Sequence, residues 1–297
     1  MTAIHRVKRE LREHLPPPAF HFARRRYYDA KALGRGRILP DFLVIGTAKS
    51  GTTTLYGWLS EHPFVAPATK KEVHFFDYEW FRGLDWYRSH FPLRRDRETF
   101  EREHGRPFLT GEASPTYISH ARAPSRIAQV LPRAKLIVAF RDPVDRAYSQ
   151  FQMSRREGVE PLESFAEAVA AEEERLRPEH ERVQADPYYY GWWIGCWSYL
   201  YRSQYAEQVE RWFQLFPREQ FHFLATEDLE SDPQRVLDGV YDFLGLPPHE
   251  NVDLEHLHVA PRYEPMPDDV RAQLVEYFRP RNERLYELVG ADFGWDR

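Results

Sequence analysis

A chain of 297 residues with 42% hydrophobic and 15% aromatic content can bury one sizeable α/β core, and 29% charged residues with 23 prolines fit a loop-rich globular protein, not a disordered one. A single cysteine, Cys196, excludes an intrachain disulfide and a four-cysteine zinc site, and no apolar stretch approaches the length of a membrane span. The formal net charge of −5 is unevenly spread: residues 1–37 carry ten Lys/Arg against three Asp/Glu, a net of +7, which leaves −12 for 38–297.

Residues 1–37 therefore read as a basic N-terminal arm, with Pro16-Pro17-Pro18 and Gly34-Arg35-Gly36-Arg37 breaking any core-like pattern. The arm is either a solvated extension or a segment that touches an anionic membrane surface or acceptor. The N-terminus lacks an apolar signal core, so a soluble, cytoplasmic protein is expected. The acidic remainder offers no basic stripe for nucleic acid. Residues 38–297 read as one domain.

The first element of that domain is a buried strand, Phe42 to Ile45. A loop of small residues, Gly46 to Thr53, follows it, and Leu55, Trp58 and Leu59 then recur at helical spacing. A strand, a Gly/Ser/Thr loop and a helix start together make an anion site, because helix N-terminal N–H groups point outward and small side chains let an oxygen approach them. A chance Gly-rich turn is the alternative. The loop departs from a nucleotide-hydrolysing phosphate loop. Gly46 and Gly51 have its spacing, but Thr52 stands where that motif needs lysine, and the loop's lysine is Lys49.

Next comes Lys70-Lys71-Glu72-Val73-His74-Phe75-Phe76-Asp77. If extended, it places Glu72 and His74 on one side and Val73 on the other, a carboxylate and an imidazole able to take a proton from an acceptor. An ion-paired surface loop is the alternative. A short strand is expected over 107–109, ending at Gly111-Glu112, and a second buried strand over 135–140. Arg141 stands at the end of that strand, with Asp142 as N-cap and Pro143 at the first position of a helix that carries Ser149. A guanidinium there, where a magnesium-binding carboxylate would stand in an NTPase, suits phosphate, or else makes a surface salt bridge.

Helical spacing is expected over 161–177, 203–216 and 268–289, with a third strand over 220–224. Between them Tyr188-Tyr-Tyr190, Trp192, Trp193, Trp197, Tyr199 and Tyr201 form an aromatic patch, either sheet packing or a platform for a sugar or lipid-like acceptor. The alternation implies a single three-layer α/β domain with a central parallel sheet, and ligands beyond the carboxyl ends of its strands.

Taken together, Gly-Thr-x-Lys-x-Gly-Thr-Thr-x-Leu, Lys-Glu-x-His-Phe-Phe-Asp and Arg-Asp-Pro-Val-x-Arg-Ala-x-Ser closely resemble the PAPS-dependent sulfotransferases. The nearest branch holds the heparan sulfate 3-O- and N-sulfotransferases and their soluble bacterial relatives. The resemblance runs from about Pro40 to Arg297 and takes in Glu112-Ala-Ser-Pro-Thr-Tyr117, Tyr205 with Glu210-Arg211-Trp212, Asp242 to Leu246 and Asp292 to Asp296.

The resemblance implies a kinase-like parallel sheet whose first loop holds the phosphosulfate end of PAPS through Lys49, Ser50, Gly51, Thr52 and Thr53. Arg141 and Ser149 match residues that hold the 3′-phosphate, and Arg262 matches a late basic residue closing over the donor. Glu72 matches the branch's catalytic base and His74 its supporting histidine, while Lys49 would stabilise the leaving group. The implied reaction moves a sulfuryl group from PAPS to a hydroxyl, or less readily an amine, of a saccharide, glycolipid or small molecule, and requires no metal. Among the 13 histidines no His-Glu-x-x-His pattern occurs. Ala113 stands where the branch carries lysine, and the branch's cysteine pair and membrane anchor are missing. A kinase-like phosphotransferase and a catalytically silent binding module are the remaining alternatives.

Overall fold

The computed structural model describes residues 36–186, 189, 191–250 and 263–295, so most of the basic arm and Arg262 lie outside the described residues. In chain order the elements are β1 (Phe42–Gly46), α1 (Thr52–Glu61), β2 (Val65–Pro67), α2 (Leu84–Arg88), α3 (Arg94–His104), β3 (Leu109–Ala113), α4 (Ala123–Val130), β4 (Lys135–Phe140) and α5 (Pro143–Arg156). There follow α6 (Phe165–Ala185), α7 (Trp192–Trp197), α8 (Tyr205–Phe213), β5 (Phe221–Ala225), α9 (Thr226–Ser231), α10 (Pro233–Leu244) and α11 (Asp268–Val289).

The strands form one five-stranded sheet in the order β2-β3-β1-β4-β5, and every neighbouring pair is parallel. Strand β1 is buried at every residue, which is why its sequence is continuously apolar instead of alternating. The pleat divides the core by parity. Phe42, Val44, Ile137 and Ala139 pack with Leu55, Trp58 and Leu59 of α1 and Leu237 and Val240 of α10. Leu43, Ile45, Leu136 and Val138 face the opposite way, toward Ile127 of α4, Val209 and Trp212 of α8, and Leu285 of α11. The result is the expected three layers. A third cluster joins α5, α6 and the first half of α11 through Ala147, Phe151, Phe165 and Phe278.

Strand β4 and helix α11 begin and end where the pattern predicts. Strand β3 does not: it starts at Leu109 and runs through Gly111 and Glu112, which the sequence suggested were its stop. Gly111 is a packing residue, because a Cβ there would come within 2.4 Å of the Phe42 ring. Helix α6 begins four residues after Pro161, where the Ser164 hydroxyl accepts from the Glu167 N–H at 3.1 Å, and it continues to Ala185. Helix α8 is shorter than the predicted 203–216. Gly36 and Arg37, assigned to the arm on charge, are tied to the body: Arg37 bridges Leu93, and Ile38 N–H donates to the Pro92 carbonyl at 3.1 Å.

Candidate active site

Strands β1 and β4 end side by side, and the Thr47 N–H donates to the Ala139 carbonyl at 2.6 Å. The loop leaving β1 therefore lies against the segment leaving β4. Gly46 must be glycine, since a Cβ would come within 2.5 Å of the Ile118 side chain. Lys49 and Gly51 take left-handed φ values of 76° and 69° as the loop turns into α1. No side chain caps the first turn of α1, so its N–H groups remain available to an anion. Ser50 departs from its expected place: it is fully buried, and its hydroxyl bonds that of Thr47 inside the loop instead of facing the cleft. It shapes the loop.

Two cations meet above this loop. Among the described residues the Lys49 ammonium bonds the Met153 sulfur, at 3.5 Å. Burial, reinforced by Arg156 and Arg141, lowers its pKa. Arg141 donates to the Lys49 carbonyl at 3.4 Å, and its own carbonyl accepts from the Tyr205 hydroxyl at 3.0 Å. Neither cation pairs with a carboxylate among the described residues, and the surface salt bridge considered for Arg141 is not seen among them. Asp142 caps α5 as expected, accepting from the N–H groups of Val144 and Asp145 at 2.8 and 3.0 Å. Ser149 lies one to two turns along that helix and lines the same cleft.

Facing these cations is the segment carrying Glu72 and His74, and its backbone is not extended. Both residues adopt φ of 57°, so the alternation expected of a strand does not apply. The side chains still meet, with His74 Nε2 at 3.4 Å from Glu72 Oε2 and Lys71 Nζ at 2.7 Å from Glu72 Oε1. The second imidazole nitrogen lies 3.0 Å from Asp77 Oδ2, and the Thr116 hydroxyl bonds the same carboxylate oxygen. His74's hydrogen bond holds the Glu72 carboxyl down at about 2 against the opposing effect of burial, with Lys71 adding to the depression. Burial pulls the imidazole down, but Asp77 and Glu72 together push it up to about 9. At neutral pH the pair is a carboxylate and an imidazolium. Asp77 and Thr116 stand in motifs that carry the resemblance, but neither was given a role.

A further carboxyl, Glu112, is fully buried and accepts from the hydroxyls of Tyr87, Tyr117 and Ser114 at 2.9, 2.9 and 2.7 Å. Ser114 also accepts from the His74 N–H at 3.1 Å, which links the strand end to the imidazole's position.

The two cations and the Glu72–His74 pair open into one cleft of about 590 Å³. Lys49, Gly51, Thr52, Thr53, Arg141 and Ser149 line one part of it, and Glu72 and His74 another. Thr226 and Leu229, from α9, and Trp192 and Gly195, from α7, also line it, and the sequence had marked only the tryptophan. The cleft can hold an anion on the loop and the two cations, and present a carboxylate beside it.

Comparison with known proteins finds one family. The family model described as the sulfotransferase domain matches residues 39–261. The membrane-associated sulfotransferase kil1 of Dictyostelium discoideum is 31% identical over 326 aligned residues, covering 88% of this chain and 68% of that protein. The heparan sulfate glucosamine 3-O-sulfotransferase 6 of Homo sapiens is 32% identical, covering 90% of this chain and 76% of that one. The crystal structure of a sulfotransferase from Alicyclobacillus acidocaldarius superimposes with a TM-score of 0.67 at 31% identity, over 88% of this chain and all of that one.

Proposed function

The chain belongs to the sulfotransferase domain family, and on that premise we propose that it moves a sulfuryl group from PAPS to a hydroxyl of a saccharide, glycolipid or small molecule, releasing 3′,5′-ADP. The observation that carries this reading is the meeting, in one cleft, of two cations without carboxylate partners among the described residues and a carboxylate held between an imidazolium and an ammonium. PAPS supplies the sulfuryl group and an anionic leaving group. The α1 N-terminus and Lys49 would receive the phosphosulfate end, and Arg141 and Ser149 the 3′-phosphate. Lys49 would neutralise charge developing on the departing oxygen, and Glu72 would take the acceptor's proton. Positioning and charge stabilisation supply most of the acceleration, as in phosphoryl transfer. Kinase chemistry is disfavoured by Thr52 at the lysine position and by Arg141 where a magnesium carboxylate would stand.

Calorimetric titration with 3′,5′-ADP, beside 5′-ADP and magnesium ATP, tests the donor. We expect binding that depends on the 3′-phosphate; ATP binding with no such preference would overturn the reading. Arg141→Ala is expected to weaken 3′,5′-ADP binding by about ten- to a hundredfold while leaving 5′-ADP nearly unchanged. Equal effects on both nucleotides would remove Arg141 from the 3′-phosphate.

The pH dependence of stability is a second check that needs no acceptor. The His74 pKa is raised on folding from 6.5 to about 9, so its contribution is complete below 6.5 and lost as pH rises through about 9. Glu72 is lowered from 4.5 to about 2, so its contribution is present above 4.5 and lost as pH falls toward 2. The thermal midpoint of the wild type, relative to His74→Gln, should therefore fall between about pH 7 and about pH 9. Parallel curves over that interval would show that His74 is not held charged.

A further inference from the structure

The Glu72–His74 pair stands on a stretch of chain outside any helix or strand, and both residues hold left-handed φ values without being glycine. Such a backbone persists only where its surroundings over-determine it. Here the determining contacts come from the end of β3 and the residues after it. The Glu72 N–H donates to the Ala113 carbonyl at 3.0 Å and the His74 N–H to the Ser114 hydroxyl at 3.1 Å. The Phe75 and Phe76 N–H groups both donate to the Tyr117 hydroxyl, at 2.9 and 3.4 Å. A backbone N–H can only donate, so both hydroxyls accept there and their own protons must go elsewhere. They go to Glu112: Tyr117 donates to Oε1 at 2.9 Å and Ser114 to Oε2 at 2.7 Å, and Tyr87 adds a third hydroxyl on Oε1 at 2.9 Å.

The two tyrosines also grip the segment by its side chains. The Tyr87 ring stacks on Phe75 with centroids 4.5 Å apart, and the Phe76 ring meets Tyr87 and Tyr117 edge-on at 5.0 and 5.6 Å. Glu112 is the group on which their hydroxyls and that of Ser114 converge. It is fully buried, and among the described residues no hydrogen bond or ion pair joins it to a cation. Burial pushes its pKa up, and the three hydroxyls work against that rise. A carboxyl is costly to keep in an apolar core, and packing alone would be served by an apolar side chain of similar size.

We infer that Glu112 is a positioning residue for the Glu72–His74 pair: by taking the protons of Ser114 and Tyr117 it makes both hydroxyls acceptors for the N–H groups of residues 74–76, and so sets where the carboxylate and the imidazole stand. The inference rests on the sulfotransferase reading for its link to catalysis, and adds to it a residue that touches neither donor nor acceptor. The readout is the His74 pKa, followed by the imidazole proton resonance in the full chain and assigned with His74→Gln. It stands at about 9 because the ring is held against Asp77 and Glu72. Tyr117→Phe changes no charge, yet it strips the Phe75 and Phe76 N–H groups of their acceptor, and the pKa is expected to fall to about 8 or lower. Glu112→Gln puts a donor where one hydroxyl proton is received and is expected to lower it too. Part of that fall is the lost charge alone, which a double-mutant cycle separates: Glu112→Gln should lower the pKa less in the Tyr117→Phe background than in the wild type.

An unchanged His74 pKa in Tyr117→Phe, or equal falls for Glu112→Gln in the two backgrounds, would each overturn the inference. A cooperative thermal transition shows that a variant is folded. Where Glu112→Gln has none, Ser114→Ala, which strips the His74 N–H of its acceptor, carries the test: a fall like that of Tyr117→Phe is expected, and an unchanged pKa overturns the inference. Titration of the wild type with 3′,5′-ADP judges the premise separately. No binding would overturn the sulfotransferase reading, while the His74 titration, which needs no ligand, still decides the placement.

Discussion

Glu72→Gln is expected to lower kcat by about two to four orders of magnitude while leaving 3′,5′-ADP affinity within about twofold. The substitution keeps the shape of the side chain and removes only its charge and basicity. The alternative base is His74, and the geometry speaks against it. One imidazole nitrogen lies 3.0 Å from Asp77 and the other 3.4 Å from Glu72, and together the two carboxylates raise its pKa to about 9. An imidazole already protonated at neutral pH cannot accept a second proton; it can orient the carboxylate that does.

A carboxylate held at about 2 is a weak base toward a resting hydroxyl. As the new S–O bond forms, however, the acceptor oxygen becomes strongly acidic, and a weak, well-placed base suffices for a late proton transfer. Lys71 and His74 occupy Oε1 and Oε2 and fix that placement. The measurement is kcat at saturating PAPS with an acceptor the wild type turns over. An unchanged value would make Glu72 a structural member of the Lys71–Glu72–His74–Asp77 chain and return the search for a base to its beginning.

What could be read from the sequence was what local chemistry decides. The strand Lys135–Phe140 and the cap Asp142-Pro143 lie within a few residues of each other, and composition alone specifies them. The position of Lys49 and Gly51 between β1 and α1 was equally legible. The direction of the Ser50 hydroxyl was not legible, because the motif marks the residue and not its rotamer; that hydroxyl closes the loop on Thr47. Glu72 and His74 do meet, though by two left-handed residues and not by the alternation of a strand. Asp77 and Thr116 stood in quoted motifs but without a role, because that role comes from a contact between residues 39 apart. The aromatic patch shows the same limit. Nothing in Trp192-Trp193 tells which ring packs and which lines the cleft until Trp197 and Arg175 are in place.

Lys49→Met should lower kcat by about two to three orders of magnitude with a much smaller effect on 3′,5′-ADP affinity, the opposite division from Arg141→Ala. Both side chains are cations without carboxylate partners among the described residues, yet their surroundings differ. Arg141 is fixed through its backbone by the Tyr205 hydroxyl and stands at the end of β4, a rigid place from which to grip a group that does not change during the reaction. Lys49 projects from a left-handed residue of the loop with its ammonium against the Met153 sulfur, a soft neighbour that holds it weakly. An ammonium in that position, its pKa already lowered by burial and by Arg156 and Arg141, gains most from charge that grows on a leaving oxygen. Methionine at position 49 keeps the length and removes that response. If Lys49→Met weakened 3′,5′-ADP binding as much as Arg141→Ala while kcat at saturating PAPS stayed at the wild-type value, Lys49 would be a second binding cation, and stabilisation of the leaving group would fall to the N–H groups of α1.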